Sequence, residues 1–135
     1  MSELIYLASQ SPRRSQLLDQ LGVRHTLLLP NVEGDAPEDA EAIEAALPGE
    51  APANYVERVT ALKLDAAVLR QARRGLPAAP ILCADTTVTM GATLYGKPAD
   101  AQDARRILAE LSGRTHRVLT AIALQAGAQR WAALS

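Results

Sequence analysis

Apolar positions along the chain fall into short continuous runs that alternate with longer, spaced stripes. Leu4-Ile5-Tyr6-Leu7-Ala8 predicts a short buried strand, and Ser9-Gln10-Ser11-Pro12 follows at once. Ser11 is a good helix N-cap, and Pro12 stands at the first helical position, where a missing N–H costs nothing. This helix is expected to run to about residue 21, with Leu17, Leu18 and Leu21 as its apolar stripe and Gly22 as its stop. Residues 24–29 predict a second strand. Residues 30–52 are acidic, alanine-rich and bracketed by Pro and Gly, and read as an exposed loop with one helical turn around residues 40–47. Over residues 53–74 the spacing of Val56, Val59, Leu62, Ala66 and Leu69 predicts an amphipathic helix, ended by Gly75 and Pro77.

Further on, Ile81-Leu82-Cys83-Ala84 predicts a buried strand running into Asp85-Thr86-Thr87-Val88, and residues 94–98 a turn. Asp100 is placed to cap another helix, with Ala104, Ile107, Leu108 and Leu111 facing inward and Ser112-Gly113 as the stop. Residues 116–124 alternate, with His, Val, Thr, Ile and Leu on one face of a strand. Ala126-Gly127-Ala128 is a hairpin turn into a last strand near Arg130. Strands alternating with helices give an α/β class, with a three-layer sandwich as the expected architecture.

Composition narrows the reading. A length of 135 residues predicts a single domain, and the apolar share of 48% with 21% charged residues is that of a globular chain. There are 26 alanines, one Trp, three Tyr and no Phe. So few aromatic rings argue against a stacking platform for single-stranded nucleic acid. No apolar run approaches the ~20 residues of a membrane span, and Met1-Ser2-Glu3 lacks the basic start of a signal peptide. The single cysteine, Cys83, excludes an intramolecular disulfide and a cysteine-cluster zinc site, and the cytoplasm is the expected compartment.

The net charge of −1 is unevenly spread. Residues 31–50 carry seven acids (Glu33, Asp35, Glu38, Asp39, Glu41, Glu44, Glu50) and no base, which leaves the rest of the chain at +6. Six of those acids, Glu33 apart, read as solvating, so removing most of residues 36–50 is expected to cost little stability. Twelve of the fourteen cations are arginine, whose planar fork suits phosphate and carboxylate.

Three constellations could carry chemistry. Ser9-x-Ser11-Pro12-Arg13-Arg14 lies between a strand and a helix, where free backbone N–H groups and the positive end of the helix dipole favour an anion. Ser11 reads there as a cap alone, whereas Arg14 continues the helix's apolar face. Asp85, at the end of an apolar strand, can hold Mg²⁺ or orient a water, or simply form a turn. Tyr95-Gly96-Lys97-Pro98 offers a close backbone approach and a compact charge, or surface decoration. Glu33 is a second candidate carboxylate. Lys63 stands at the edge of an apolar helix face, where a snorkelling side chain is the commoner explanation. His116 reads as a packed or surface histidine, and Cys83 as inert.

Leu7-Ala8-Ser9-Gln10-Ser11-Pro12-Arg13-Arg14 with Leu17-Leu18, then Ala84-Asp85-Thr86, then Gly96-Lys97-Pro98, then Leu111-Ser112-Gly113-Arg114-Thr115-His116, in this order, closely resemble the Maf family of septum-formation-inhibitor proteins, which are nucleoside triphosphate pyrophosphatases. The resemblance covers residues 4–124. It implies the inosine-triphosphate-pyrophosphatase-like fold: a twisted mixed sheet with helices and a cleft between two lobes. It also implies divalent-metal-dependent (Mg or Mn) hydrolysis of a nucleoside triphosphate to the monophosphate and pyrophosphate.

Carried over by motif, Ser9 and Arg14 would hold phosphates with Arg13 beside them, and Glu33, Lys63, Asp85 and Lys97 would complete the polar cluster. Asp85 matches the general base or metal-linked carboxylate, with Glu33 as its metal-binding companion. Arg13 and Thr86 resemble the branch acting on dTTP and UTP, as opposed to 7-methyl-GTP. The expected role is house-cleaning of pyrimidine or modified triphosphates. A non-catalytic, nucleotide- or protein-binding regulator of cell division is the alternative, and a nucleic-acid binder is the weakest reading. The family suggests a homodimer. Family members continue beyond the strand near Trp131, so the chain is expected to be C-terminally incomplete.

Overall fold

The computed structural model describes residues 4–30, 38, 40–90, 93–95 and 100–135. Two short parallel strands, β1 (Ile5–Leu7) and β2 (His25–Leu27), flank the first helix, α1 (Pro12–Gln20). Gly22, at φ 74°, takes the left-handed turn that ends α1, and the Val23 N–H closes it on the Leu18 carbonyl at 2.9 Å. A short helix, α2 (Ala40–Glu44), leads to the long α3 (Pro52–Arg73). Then come β3 (Ile81–Met90), β4 (Thr93–Tyr95), α4 (Ala101–Leu111), β5 (Arg117–Ala126) and β6 (Gln129–Leu134).

The sheet is mixed, in the order β2-β1-β3-β5-β6, with β4 folded back on the far end of β3. β1 runs parallel to β3 and matches it only at Ile81 and Leu82, whereas β4 pairs with Val88–Met90. Between those partners, residues 84–87 have no strand beside them on that edge among the described residues. On its other edge β3 is paired with β5 continuously from Ile81 to Thr89. The α/β class therefore stands, as an open mixed sheet flanked by helices.

The core lies between α3 and one face of β1, β3 and β5. Tyr6, Leu64, Ala67, Ile81, Cys83 and Ala123 form one buried cluster with Leu28, and Val56, Leu119 and Ala121 another. Small side chains at Ala67, Cys83, Ala121 and Ala123 let the helix sit close to the sheet. The inward face of α3 is Val56, Val59, Thr60, Leu64, Ala67 and Arg70, not the expected stripe through Leu62, Ala66 and Leu69. Apolar patterning fails here because two polar side chains are buried with their bonds satisfied. The Thr60 hydroxyl donates to the Val56 carbonyl at 2.7 Å, and Arg70 is paired on both sides of its fork.

Five other expectations are corrected. Along β5 the buried face is Leu119, Ala121 and Ala123, while Val118 and Ile122 point away from α3 and are exposed. Both faces of this strand are apolar, so alternation alone cannot choose between them. Helix α1 has no buried residue, and Leu17 and Leu21 of its stripe are exposed. Helix α4 likewise buries none of its expected inward residues, and Leu108 is 67% exposed. The Asp100 carboxylate does cap α4, accepting from the Asp103 N–H at 2.8 Å. Within residues 94–98, expected to be a turn, Leu94 and Tyr95 belong to β4. Asp85 lies inside the ten-residue β3 and not at a strand end.

The acidic segment is not simply solvated. Glu38 meets the Arg70 guanidinium at 2.7 and 2.8 Å, Glu50 meets Arg58 at 2.7 and 2.9 Å, and Glu44 meets Lys63 at 3.0 Å. Three of its acids thus pair with three cations spaced along α3. The Arg58 fork holds the Glu50 carboxyl below the ordinary carboxylate range.

Candidate functional site

Where β1 ends and no strand among the described residues pairs with residues 84–87 of β3 on that edge, the surface opens into a cleft of about 650 Å³. Its walls come from the β1–α1 turn, the inward edge of α3, residues 84–87 of β3 and the acidic segment. The volume is that of an ordinary small-molecule site.

At the turn, Ser9 is buried and its Oγ accepts twice, from the Ser11 N–H at 3.2 Å and from Arg14 at 3.1 Å. Ser11 is the N-cap of α1 by position, yet its side chain makes no capping bond, contrary to the expectation for it. Its backbone instead fixes the Ser9 hydroxyl. The other arm of the Arg14 fork donates to Thr86 Oγ1 at 2.9 Å, and Thr86 Oγ1 lies 3.0 Å from Thr120 Oγ1. Ser9, Arg14, Thr86 and Thr120 therefore form one hydrogen-bonded chain from the first helix to β5. Arg14 is held at two points, with its remaining N–H donors available beside the start of α1.

Asp85 and Thr86 are consecutive in an extended strand, so their side chains leave opposite faces of the sheet. Thr86 is on the Arg14 side. Asp85 is on the α3 side, where its Oδ1 accepts from Lys63 Nζ at 3.3 Å. The same ammonium lies 3.0 Å from Glu44 Oε1. Burial is the largest single influence on Lys63 and works against its charge. The Asp85 and Glu44 carboxylates together outweigh it, so the ammonium titrates above its ordinary value. Tyr55 donates its hydroxyl to the Glu44 carbonyl at 2.6 Å. Burial, then the negative charges of Asp85 and Glu44, push that phenol up.

Of the residues singled out in the sequence, Ser9, Arg14, Lys63, Asp85 and Thr86 share this cleft. Arg13 is exposed and is not part of the cleft wall. Glu33 and Lys97 lie outside the described residues. Lys63 is not a snorkelling surface lysine, since it bridges two carboxylates at the cleft. Cys83 is buried behind Ala84, and burial pushes its thiol up to about 12, in keeping with an inert role. His116 is an exposed histidine whose ring lies 3.3 Å from the Arg114 carbonyl. Sequence reasoning missed Thr120 and Glu44. The pairing of Thr86 with Thr120 across β3 and β5 was latent in two Thr-containing strand segments, but only the register brings them together. For Glu44 the signal was one acid among seven in the acidic stretch.

Among the described residues no cluster of three or more His, Cys, Asp and Glu side chains is arranged to hold a metal ion. Asp85 is a hard oxygen donor facing the cleft. One or two carboxylates completed by water and phosphate oxygens is the usual protein share of a Mg²⁺ site, so the donor set fits such an ion without enclosing it.

An open mixed sheet flanked by helices makes this an α/β fold, with a helix N-terminus, a tethered arginine and a lysine–carboxylate cluster lining one cleft. The chain matches the Maf-like protein family over residues 4–134 and belongs to it. It is 69% identical over 130 residues to the dTTP/UTP pyrophosphatase of Albidiferax ferrireducens, covering 96% of this chain and 63% of that protein. It is 61% identical to the protein of the same name from Cupriavidus metallidurans, covering 100% and 66% respectively. A Polaromonas dTTP/UTP pyrophosphatase is 58% identical, covering 99% and 64%. The chain thus spans somewhat less than two thirds of the length of these relatives. Among the described residues no helix is long and apolar enough to cross a membrane.

Proposed function

We propose that the cleft binds a nucleoside triphosphate, dTTP or UTP, and hydrolyses it to the monophosphate and pyrophosphate. The observation that carries this reading is the convergence of Ser9-fixed Arg14 at the start of α1 with Lys63 and Asp85 on one cleft. The names of the three relatives supply the substrate class.

Little covalent help is needed to break a phosphoanhydride, because positioning and charge stabilisation dominate. In this reading the N–H groups at the start of α1 and the free donors of Arg14 hold phosphate oxygens. Thr86, backed by Thr120, fixes the plane of the guanidinium. Lys63 offsets charge that builds on the phosphates, and Asp85 orients the attacking water. Water adds across the α–β bond: its oxygen joins one phosphoryl group, a proton passes to Asp85, and the bridging oxygen leaves with the other group. A divalent cation, Mg or Mn, would be held by Asp85 with Glu33 as second carboxylate, and when bound it supplies further neutralisation of the phosphates. The cytoplasm, where nucleoside triphosphates are kept, is the compartment this reading entails.

Pyrophosphate release from dTTP, UTP and 7-methyl-GTP, with Mg²⁺ or Mn²⁺, tests it. Faster release from the two pyrimidine nucleotides is expected. Asp85→Asn should abolish release and leave triphosphate binding in place, since Asn keeps the shape but is no base. Near-normal kcat in Asp85→Asn overturns the role given to Asp85, and no release from any triphosphate overturns the enzymatic reading.

A further inference from the structure

Glu44 holds Lys63 without belonging to any motif used above. Its backbone is pinned: Tyr55 donates to its carbonyl at 2.6 Å, and Arg58 donates to the next carbonyl, that of Ala45, at 2.8 Å. The segment that carries it is anchored on both sides by forked arginine–carboxylate pairs, Glu38 with Arg70 and Glu50 with Arg58. The Glu44 side chain is 52% exposed, so it is free to swing into solvent while its backbone stays in place. Asp85 already positions Lys63. A second carboxylate on the same ammonium gives the trio a net charge of −1 on the wall of a cleft that is to receive a polyanion.

Resting on the proposed function, we infer that Glu44 is an internal competitor for Lys63, a carboxylate that occupies the ammonium until a substrate phosphate displaces it and that thereby sets the affinity of the cleft for polyphosphates. The exchange is a swap of one anion for another. Lys63 gives up Glu44 and gains a phosphate oxygen, Glu44 gains water, and the Asp85 contact persists. Because the backbone of residues 44 and 45 is pinned, the carboxylate returns to the same place when the product leaves.

The test is binding of α,β-methylene dTTP, which resists cleavage at the scissile bridge, by calorimetry in the absence of divalent metal. Wild type, Glu44→Gln, Lys63→Met and the double variant are compared. Removing a partly exposed competing ion pair is expected to tighten binding by about two- to fivefold in Glu44→Gln. In the Lys63→Met background the same change is expected to have less than about a twofold effect, because nothing is left to compete for. In turnover, Glu44→Gln should lower KM with kcat unchanged. Equal tightening in both backgrounds overturns the inference, since plain charge repulsion then accounts for it. Weaker or unchanged binding in Glu44→Gln, or a fall in kcat, overturns it by making Glu44 a helper or a bystander. Failure of the wild-type chain to bind the analogue both without metal and with Mg²⁺ overturns the proposed function itself, and this inference with it. If Mg²⁺ is needed for binding, the same four-variant comparison is made with Mg²⁺ present and read by the same criteria.

Discussion

Glu38→Gln asks how firmly the acidic segment is tied to the body. Arg70 sits at 7% side-chain exposure and Glu38 at 13%, and the two meet through both arms of the guanidinium at 2.7 and 2.8 Å. A third arm donates to the Leu28 carbonyl at 2.6 Å, and Leu28 is itself part of the buried core. Substituting Gln leaves the guanidinium buried, charged and short of its counter-ion. Breaking such a pair by removing one partner costs about 3–5 kcal/mol. Near 4 °C per kcal/mol for a domain of this size, that is a fall in melting temperature of about 12–20 °C.

Urea denaturation followed by far-ultraviolet circular dichroism measures the cost directly. The double variant Glu38→Leu with Arg70→Met separates charge stranding from packing. It removes both charges at once and leaves the Leu28 carbonyl without this donor, a penalty of about 1–3 kcal/mol. The double variant is therefore expected to be more stable than Glu38→Gln. A loss under about 0.5 kcal/mol in Glu38→Gln would refute the reasoning and show the pair to be solvated in solution. It would also restore the view that residues 36–50 can be removed cheaply.

The remaining expectations concern the cleft and the core. Arg14→Ala should weaken binding of the methylene analogue by about 10- to 150-fold, the loss of a charge-assisted contact, with nucleoside binding unchanged; equal losses for both would contradict a phosphate role. Arg13→Ala, at an exposed position off the cleft wall, should change the same isotherm by less than about twofold. Alkaline titration of stability should show a decline starting near pH 9. Cys83 (up to about 12 from 9.0), Tyr55 and Lys63 all titrate above their ordinary values in the folded chain, so each contributes stability that is complete below its unfolded pKa and is lost as pH rises through its folded one. Cys83→Ala should flatten that decline between pH 9 and 12, and in the native chain at pH 8 the thiol should resist a disulfide reagent until urea unfolds it.

Much of the scaffold was legible because it rests on local signals. Pro12 at the start of α1, the left-handed Gly22 at its end, the Asp100 cap and the Gly127 hairpin each act within four residues of themselves. What the chain alone did not reveal depends on partners far away in sequence. Arg70 is buried because Glu38 and the Leu28 carbonyl, 32 and 42 residues away, accept its N–H groups. A reading based on hydrophobicity places such a residue on the surface and turns the helix accordingly. The same holds for β5, where apolar residues on both faces leave the choice to α3.

The position of the site follows from a mismatch of strand lengths. β1 and β2 have three residues each, β3 has ten, and β1 is exhausted after Leu7. The chain must leave the sheet there, and it leaves through Ser9 into a helix whose first turn sets Arg14 against Thr86 of β3. On that edge, consecutive residues necessarily point to opposite faces. Asp85 therefore meets what α3 brings, Lys63, and Thr86 meets what α1 brings, Arg14. A strand of alternating chemistry thus gathers a tethered arginine and a lysine-held carboxylate around one opening. Shifting the β3–β5 register by one residue would exchange the two faces, separating Arg14 from Thr86 and Lys63 from Asp85 together. The nine consecutive pairs between β3 and β5 are what hold that register, and hence the site, in place.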